Sequence, residues 1–129
     1  MATIKTFEDI EAWRRARVLS MEIYEMTLTG SFSKDFSLRD QINKSSGSVM
    51  DNIAEGFERG GTKEFVQFLF IAKGSAGEVR SQLHRALDRK HLNENRYDRL
   101  IEEIGTISKM LTRLIVYLRE SNIKGTKYQ

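Results

Sequence analysis

The side chains of this sequence that could catalyse a reaction are two carboxylates and two imidazoles. Glu55 and Glu78 lie in segments with helical spacing and could act as a general acid and base. His84 and His91 are seven residues apart, which would place them on one face of a continuous helix, but a zinc site needs more ligands than two imidazoles. Because no HExxH motif or nucleophile with a partner base accompanies them, we predict no enzyme activity, no metal site and no cofactor. A hydrogen bond or a salt bridge to Arg59 is the alternative role of the carboxylates.

A row of mostly small and polar residues runs along one predicted helix at alternating spacings of four and three. Such a row either faces water or forms a polar seam between helices or subunits that fixes their register. Serine and asparagine are weak helix formers, which favours the seam over a plain solvent-exposed face. The row consists of Gln41, Ser45, Ser48, Asn52, Glu55 and Arg59.

Glycine inside a helix costs about 1 kcal/mol relative to alanine, and we single out three glycines of the second and third predicted helices for this reason. They are Gly47, Gly74 and Gly77. We expect them to allow close packing of helices, with Gly74 at the contact between the second and third helix. The alternative is that Gly74 is exposed.

Basic residues cluster near the end of the third predicted helix. Residues 1–60 have a net charge of −2 and residues 61–129 a net charge of +5. Cations at a helix C-terminus are favoured by the helix dipole without any ligand, whereas a nucleic-acid surface needs the cluster to be concentrated, as symmetric oligomerisation would do. The predicted nucleic-acid-binding residues are Arg80, Arg85, Arg89, Lys90 and Arg96.

The composition indicates one helical domain. The chain has 129 residues, no cysteine and no proline, which is typical of long uninterrupted helices without disulfides. No segment approaches the ~20 consecutive apolar residues of a membrane span, and the N-terminus has no apolar run of a signal peptide. We therefore expect a cytoplasmic protein without membrane contact.

The apolar periodicity predicts four helices over 7–29, 37–59, 62–91 and 95–120. Their predicted N-caps are Thr6, Ser37, Thr62 and Asn95, with Asn93 as the alternative to Asn95. Short connections favour an antiparallel up-down-up-down four-helix bundle over residues 1–120, followed by a polar tail over 121–129. The apolar stripe of the first helix is predicted to contain Ile10, Trp13, Ala16 or Arg17, Ser20, Ile23 and Tyr24.

Several separated blocks of this sequence resemble the bacterial four-helix bundle protein family. They are the segment 48–56, SVMDNIAEG, the segment 64–78, EFVQFLFIAKGSAGE, and the opening 7–13, FEDIEAW. Founding members of that family are encoded within intervening sequences of large-subunit ribosomal RNA genes. The resemblance implies an antiparallel bundle that assembles into a homopentameric ring without known catalysis. The chain is more distantly similar to accessory proteins of diversity-generating retroelements, pentamers with a basic surface that bind a reverse transcriptase and nucleic acid.

The residues and the resemblance together predict a non-enzymatic homo-oligomeric binding protein. Its partners would be other copies of itself and either RNA or a nucleic-acid enzyme. The alternative is a purely structural or scaffold oligomer with no nucleic-acid role. The predicted packing and assembly residues are Gln41, Ser48, Asn52, Glu55, Gly74, Ser75 and Glu78.

Overall fold

The computed structural model of the protein describes residues 4–125, which form an all-α bundle of four helices. This confirms the predicted fold class, and no β-strand occurs among the described residues. The last helix continues to residue 125, so the first five residues of the predicted tail are helical, while 126–129 lie outside the described range. The helices are α1 (Glu11–Met26), α2 (Phe36–Glu58), α3 (Thr62–Asp88) and α4 (Glu94–Gly125), with 3-10 turns at Phe7–Asp9 and Gly30–Lys34.

The cap of α2 lies two residues before the predicted one, and the cap of α4 is Asn93, the predicted alternative to Asn95. The Asp35 carboxylate accepts a hydrogen bond from the Leu38 backbone N–H at 3.4 Å, so Asp35 and not Ser37 caps α2. Asn93 Oδ1 accepts from the Arg96 backbone N–H at 2.8 Å, which makes Asn93 the cap of α4. Each cap satisfies an N–H three residues later, the ordinary geometry of an N-cap. Gly61, and not Thr62, precedes the first residue of α3.

The predicted first helix is divided by an extended residue. Thr6 precedes the short 3-10 turn, Ile10 has φ −81° and ψ 118°, and only then does α1 begin. The buried stripe of α1 also differs from the predicted one, because Leu19 and Met26 are buried whereas Tyr24 is 51% exposed. The helix is thus rotated relative to the predicted stripe.

The core lies between the four helices, and each helix packs against two neighbours. Helix α2 packs against α1 and α3, and α4 packs against α3 and α1. Contacts between α2 and α3 join Gln41 to Arg85 and Ser48 to Ser75, so these two helices run in opposite directions. Because α1 and α3 are diagonal partners in the bundle, their outer faces point to opposite sides of the molecule.

The closest approach between α2 and α3 is at Gly56, a position that the sequence did not single out. A Cβ atom there would lie 2.6 Å from Phe68 Cβ and 3.1 Å from Phe65 Cδ1. The expectation that Gly74 lies at this helix contact was wrong, because Gly74 is exposed and an added Cβ would meet no atom within 4 Å. Gly47 has equally open surroundings.

We predict opposite effects for alanine at two glycines of α2. Gly56→Ala should destabilise the fold by about 1–3 kcal/mol, because its Cβ must displace the rigid start of the Phe68 side chain. Gly47→Ala should stabilise it by up to about 1 kcal/mol, because it adds helix propensity without a clash. Urea unfolding followed by circular dichroism measures both. Equal effects of the two substitutions would contradict the close contact at Gly56.

Candidate functional site

A polar seam joins α2 to α3 near the middle of both helices. Ser48 Oγ lies 3.0 Å from Ser75 Oγ, and Asn52 Nδ2 donates to the Ser48 hydroxyl and to its backbone carbonyl, each at 2.8 Å. Because Ser75 is buried, this contact lies inside the bundle of a single copy. The Ser48–Ser75 pair joins the two helices as the predicted seam requires, whereas both hydrogen bonds of Asn52 Nδ2 go to Ser48 of its own helix.

The other predicted packing residues lie outside this hydrogen-bonded centre. Gln41 Oε1 accepts a hydrogen bond from Arg85 Nη1 at 3.1 Å, which joins the two helices again closer to the start of α2. Glu55 forms an exposed salt bridge with Arg59 at 2.8 Å, one turn along the same helix. Glu78 is exposed. The row therefore contributes to the α2–α3 contact at some positions and to the surface at others.

A groove between α2 and α3 is bordered almost wholly by polar side chains. Ser45 and Gln82 are the most deeply buried of its residues, and Gln82 is only 7% exposed. Sequence reasoning missed Gln82, although it lies four residues after Glu78 and three before Arg85, on the same helix face. The residues lining the groove are Gln41, Lys44, Ser45, Ser48, Glu78, Ser81, Gln82 and Arg85.

The predicted basic cluster is divided between two sides of α3. Arg85 and Arg89 point toward α2, where Arg89 Nη1 donates to Asp35 Oδ2 at 2.9 Å. His84 instead contacts Tyr97 of α4, with its Nδ1 2.8 Å from the phenol oxygen. Arg80 lies one turn before His84 and so shares that second side. The cluster is not one continuous surface in a single copy.

The remaining two predicted nucleic-acid residues follow the end of α3. Lys90 has a positive φ of 62°, and its N–H donates to the Leu87 carbonyl while the next N–H donates to Ala86. These two bonds form a Schellman motif, in which glycine is the usual residue at the left-handed position. Arg96, in the first turn of α4, is half-buried, and its Nε has no hydrogen-bond partner in the described structure.

A cluster that the sequence did not predict ties the start of α2 to the chain beyond α3. His91 Nε2 lies 2.8 Å from Asp35 Oδ2, and its Nδ1 lies 2.7 Å from Ser31 Oγ. The Phe32 ring stacks on the imidazole with 4.8 Å between centroids. Because α3 ends at residue 88, His91 is outside the helix, and the expectation that both histidines share one helix face was wrong.

The Asp35 carboxylate is the electrostatic centre of this cluster. Hydrogen bonds from His91 and Arg89 lower the pKa of Asp35 from its ordinary value of 3.8 to about 2. The same carboxylate caps α2. A single ionised group thus holds the loop, the helix start and the end of α3 together.

Two of the side chains considered for catalysis, Glu55 and His84, have other partners. Glu55 is paired with Arg59, and His84 contacts α4 on the side of α3 away from Arg85. Within residues 4–125 no three histidine or acidic side chains converge in a way that could hold a metal ion. None of the helices described is long and apolar enough to cross a membrane.

Comparison with known proteins identifies relatives of the whole bundle. The model of the 23S rRNA-intervening sequence protein family matches residues 8–113. A solved structure from Bacteroides thetaiotaomicron VPI-5482, a protein of unknown function from the S23 ribosomal protein family, superimposes with a TM-score of 0.74 at 21% identity. The match covers 81% of this chain and 94% of that one, and at this identity it shows a shared fold. No match was found among curated proteins.

We predict that Asp35 makes the stability of the fold depend on pH in acid. Because its pKa is lowered on folding, its stabilising effect is complete above pH 3.8 and is lost as the pH falls toward about 2. Asp35→Asn should therefore lower the thermal midpoint near neutral pH, and the difference from wild type should shrink as the pH falls through this range. Asp40→Asn, an exposed position in the first turns of α2, is the control. A difference independent of pH would contradict the role of the Asp35 charge.

Proposed function

Because the chain belongs to the 23S rRNA-intervening sequence protein family, we propose that it is a non-enzymatic binding protein that forms a closed homo-oligomeric ring and associates with RNA or a nucleic-acid enzyme. The ring of five copies is what the family resemblance implies. The observation that carries the assembly proposal is a pair of unlike exposed surfaces on the diagonal helices α1 and α3. The family name, which refers to ribosomal RNA, supports the nucleic-acid part.

The first surface is an apolar ridge on the outer side of α1 and the turn after it. Val18 is 69% exposed, Met21 58% and Leu28 54%, and Tyr24 is also exposed. Large apolar side chains this exposed on one helix face are typical of a surface that another protein covers.

The second surface is a shallow face on the outer side of α3. Phe70 and Ile71 are exposed, and the next turns along this face carry Gly74, Gly77 and Ser81. A Cβ atom at either glycine would meet no atom within 4 Å. Small residues leave room for a helix of another molecule, so the large side chains of the α1 ridge match this face in shape.

The two surfaces support a head-to-tail contact between copies. They differ from each other and lie on opposite sides of the bundle, so one copy can offer its α1 ridge to the α3 face of the next. Repeated head-to-tail contacts form a closed ring when the rotation from one copy to the next brings the last copy back to the first. In this arrangement Gly74 acts between copies, although it does not pack within one.

Assembly also supports the nucleic-acid proposal through charge. One copy has a net charge of +3, and five copies in a ring would concentrate +15. Arg80 and Lys90 form no salt bridge in the described part of the chain, which leaves them available for phosphate groups. Arg85 and Arg89 are already engaged by Gln41 and Asp35.

We predict that a charge on either surface breaks the ring. Met21→Glu on the α1 ridge and Gly74→Glu on the α3 face should each give a monomer in analytical ultracentrifugation, because a buried unpaired carboxylate opposes the contact. Each variant keeps one intact surface, so an equimolar mixture should form a dimer of the two different variants.

Lys109→Glu, at an exposed position of α4, is the control and should leave the ring intact. Circular dichroism should show the same helical content in all variants. A wild-type monomer at micromolar concentration would contradict assembly, and failure of the mixture to form a dimer would contradict the head-to-tail contact.

We predict that RNA binding is electrostatic and involves two unpaired cations, Arg80 in α3 and Lys90 just after it. The logarithm of the affinity for single-stranded RNA should fall linearly with the logarithm of salt concentration. Arg80→Gln and Lys90→Gly should each weaken binding and reduce the salt slope by about one per copy. Lys90→Gly should also raise stability by up to about 1 kcal/mol, because glycine suits the positive φ.

Lys63→Gln serves as the control, because Lys63 is an exposed cation at the opposite end of α3. Loss of affinity in this variant equal to that of Arg80→Gln would contradict a specific surface. A ring without measurable RNA affinity at low salt would support the alternative, a purely structural oligomer, if no nucleic-acid enzyme binds either.

A further inference from the structure

The groove between α2 and α3 is built from two matching rows of polar residues. Four positions of α2 and four of α3 line it, and in each helix they follow the spacing i, i+3, i+4 and i+7. The hydrogen bond between Gln41 and Arg85 spans one end, and the Ser48–Ser75 contact spans the other. Seven residues of helix separate the ends, which makes the groove about 10 Å long. Its volume of about 470 Å³ is within the range of small-molecule sites.

Several polar groups in the groove have no partner within the protein. Gln82 is 93% buried, and its Oε1 accepts no hydrogen bond. Lys44 and Glu78 form no ion pair with any residue in the range 4–125. Arg85 uses one of its guanidinium N–H groups for Gln41 and has others free. A buried acceptor without a donor destabilises the fold by about 1–3 kcal/mol. Because Gln82 Oε1 is shielded from solvent in this conformation, a ligand in the groove can donate to it only when the last torsion of the side chain turns the amide.

These groups define the chemistry of a complementary ligand. Lys44 and Arg85 are cations and would bind an anionic group, and a phosphate can accept hydrogen bonds from both. Gln82 Oε1 and the Glu78 carboxylate are acceptors and need N–H donors. The Gln82 amide can also donate through Nε2, so it fits a group that has an N–H beside an acceptor nitrogen.

We propose that this groove binds a nucleotide whose base has an exocyclic amino group beside an acceptor nitrogen on its Watson–Crick edge, which means adenine or cytosine. The amino group donates one N–H to Gln82 Oε1 and the other to Glu78, while the neighbouring ring nitrogen accepts from Gln82 Nε2. Paired contact of a glutamine amide with adenine is a known mode of base recognition. The phosphate lies against Lys44 and Arg85. The last torsion of a glutamine side chain turns easily, which allows the amide to face the ligand.

This inference goes beyond the proposed function, because it needs neither a ring nor a long RNA. The nucleotide can be free or part of a single strand, since both present the same base edge and phosphate. The site also gives a role to Gln82, a buried residue of α3 whose Oε1 has no hydrogen-bond donor within the protein.

Isothermal titration calorimetry with free nucleotides tests the site. AMP and CMP should bind, and IMP and UMP should bind about tenfold or more weakly, because their keto oxygen cannot donate the N–H that the Glu78 carboxylate accepts. The Gln82 amide can turn to match either kind of base. AMP and IMP have the same ribose and phosphate and differ only in the base, and the same holds for CMP and UMP. Competition of AMP binding by an oligoadenylate strand would indicate RNA as the source, and its absence would indicate a free nucleotide. Equal binding of all four nucleotides, or of none, would overturn the proposal.

Three variants assign the contacts. Glu78→Gln should abolish the preference for AMP over IMP, because its amide can donate to the keto oxygen of IMP. Gln82→Met should weaken both nucleotides while thermal stability is retained or raised, because an unpaired buried amide is removed. Lys44→Ala should weaken AMP and IMP alike, and the control Lys109→Ala, in α4, should change neither. Unchanged discrimination in Glu78→Gln would overturn the proposal. RNA binding without nucleotide binding would overturn this site alone, whereas nucleotide binding without RNA affinity would count against the proposed function alone.

Discussion

The long antiparallel contact between α2 and α3 is the constraint on which the other features depend. At one end Gly56 lets the backbone of α2 approach Phe68 and Phe65 directly. In the middle the contact is polar, through the Ser48–Ser75 hydroxyl pair, and at the other end Asp35 joins His91 and Arg89. Because hydrogen bonds demand defined distances, whereas apolar contacts tolerate sliding, the polar middle fixes the register of the two helices. That register brings Gln82 opposite the α2 row and so creates the groove.

The fold was predictable from the sequence, and the faces of its helices were predictable only in part. Apolar periodicity and cap residues depend on near neighbours, which is why all four helices were found with boundaries wrong by a few residues. A small residue inside a helix does not reveal whether it faces a neighbour or solvent. Gly56 and Gly74 look alike in sequence, yet only Gly56 has a phenylalanine against its Cα. The distinction depends on the rotation of the helix, which packing of the whole bundle determines.

The site was harder to predict because its contacts are distant in sequence. Asp35 and His91 are separated by 56 positions, and no local spacing connects them. Gln82 was missed for another reason: it is one of three consecutive polar residues between Val79 and Leu83, and the sequence does not distinguish it from the exposed Arg80 and Ser81. The basic cluster shows the reverse error, since formal charges were counted without their partners. Asp35 and Gln41 engage two of its arginines, and His84 faces a different helix.

The proposed assembly surfaces and the proposed ligand groove lie on different parts of the bundle and meet at Ser81. The apolar ridge of α1 and the small-residue face of α3 are outer surfaces of diagonal helices, whereas the polar groove lies between α2 and α3. Ser81 belongs to both the α3 face and the border of the groove. A neighbouring copy on the α3 face would therefore approach one wall of the groove and shield its ligand from water. Since hydrogen bonds and ion pairs strengthen when water is excluded, ring formation would increase nucleotide affinity, and by reciprocity the nucleotide would stabilise the ring.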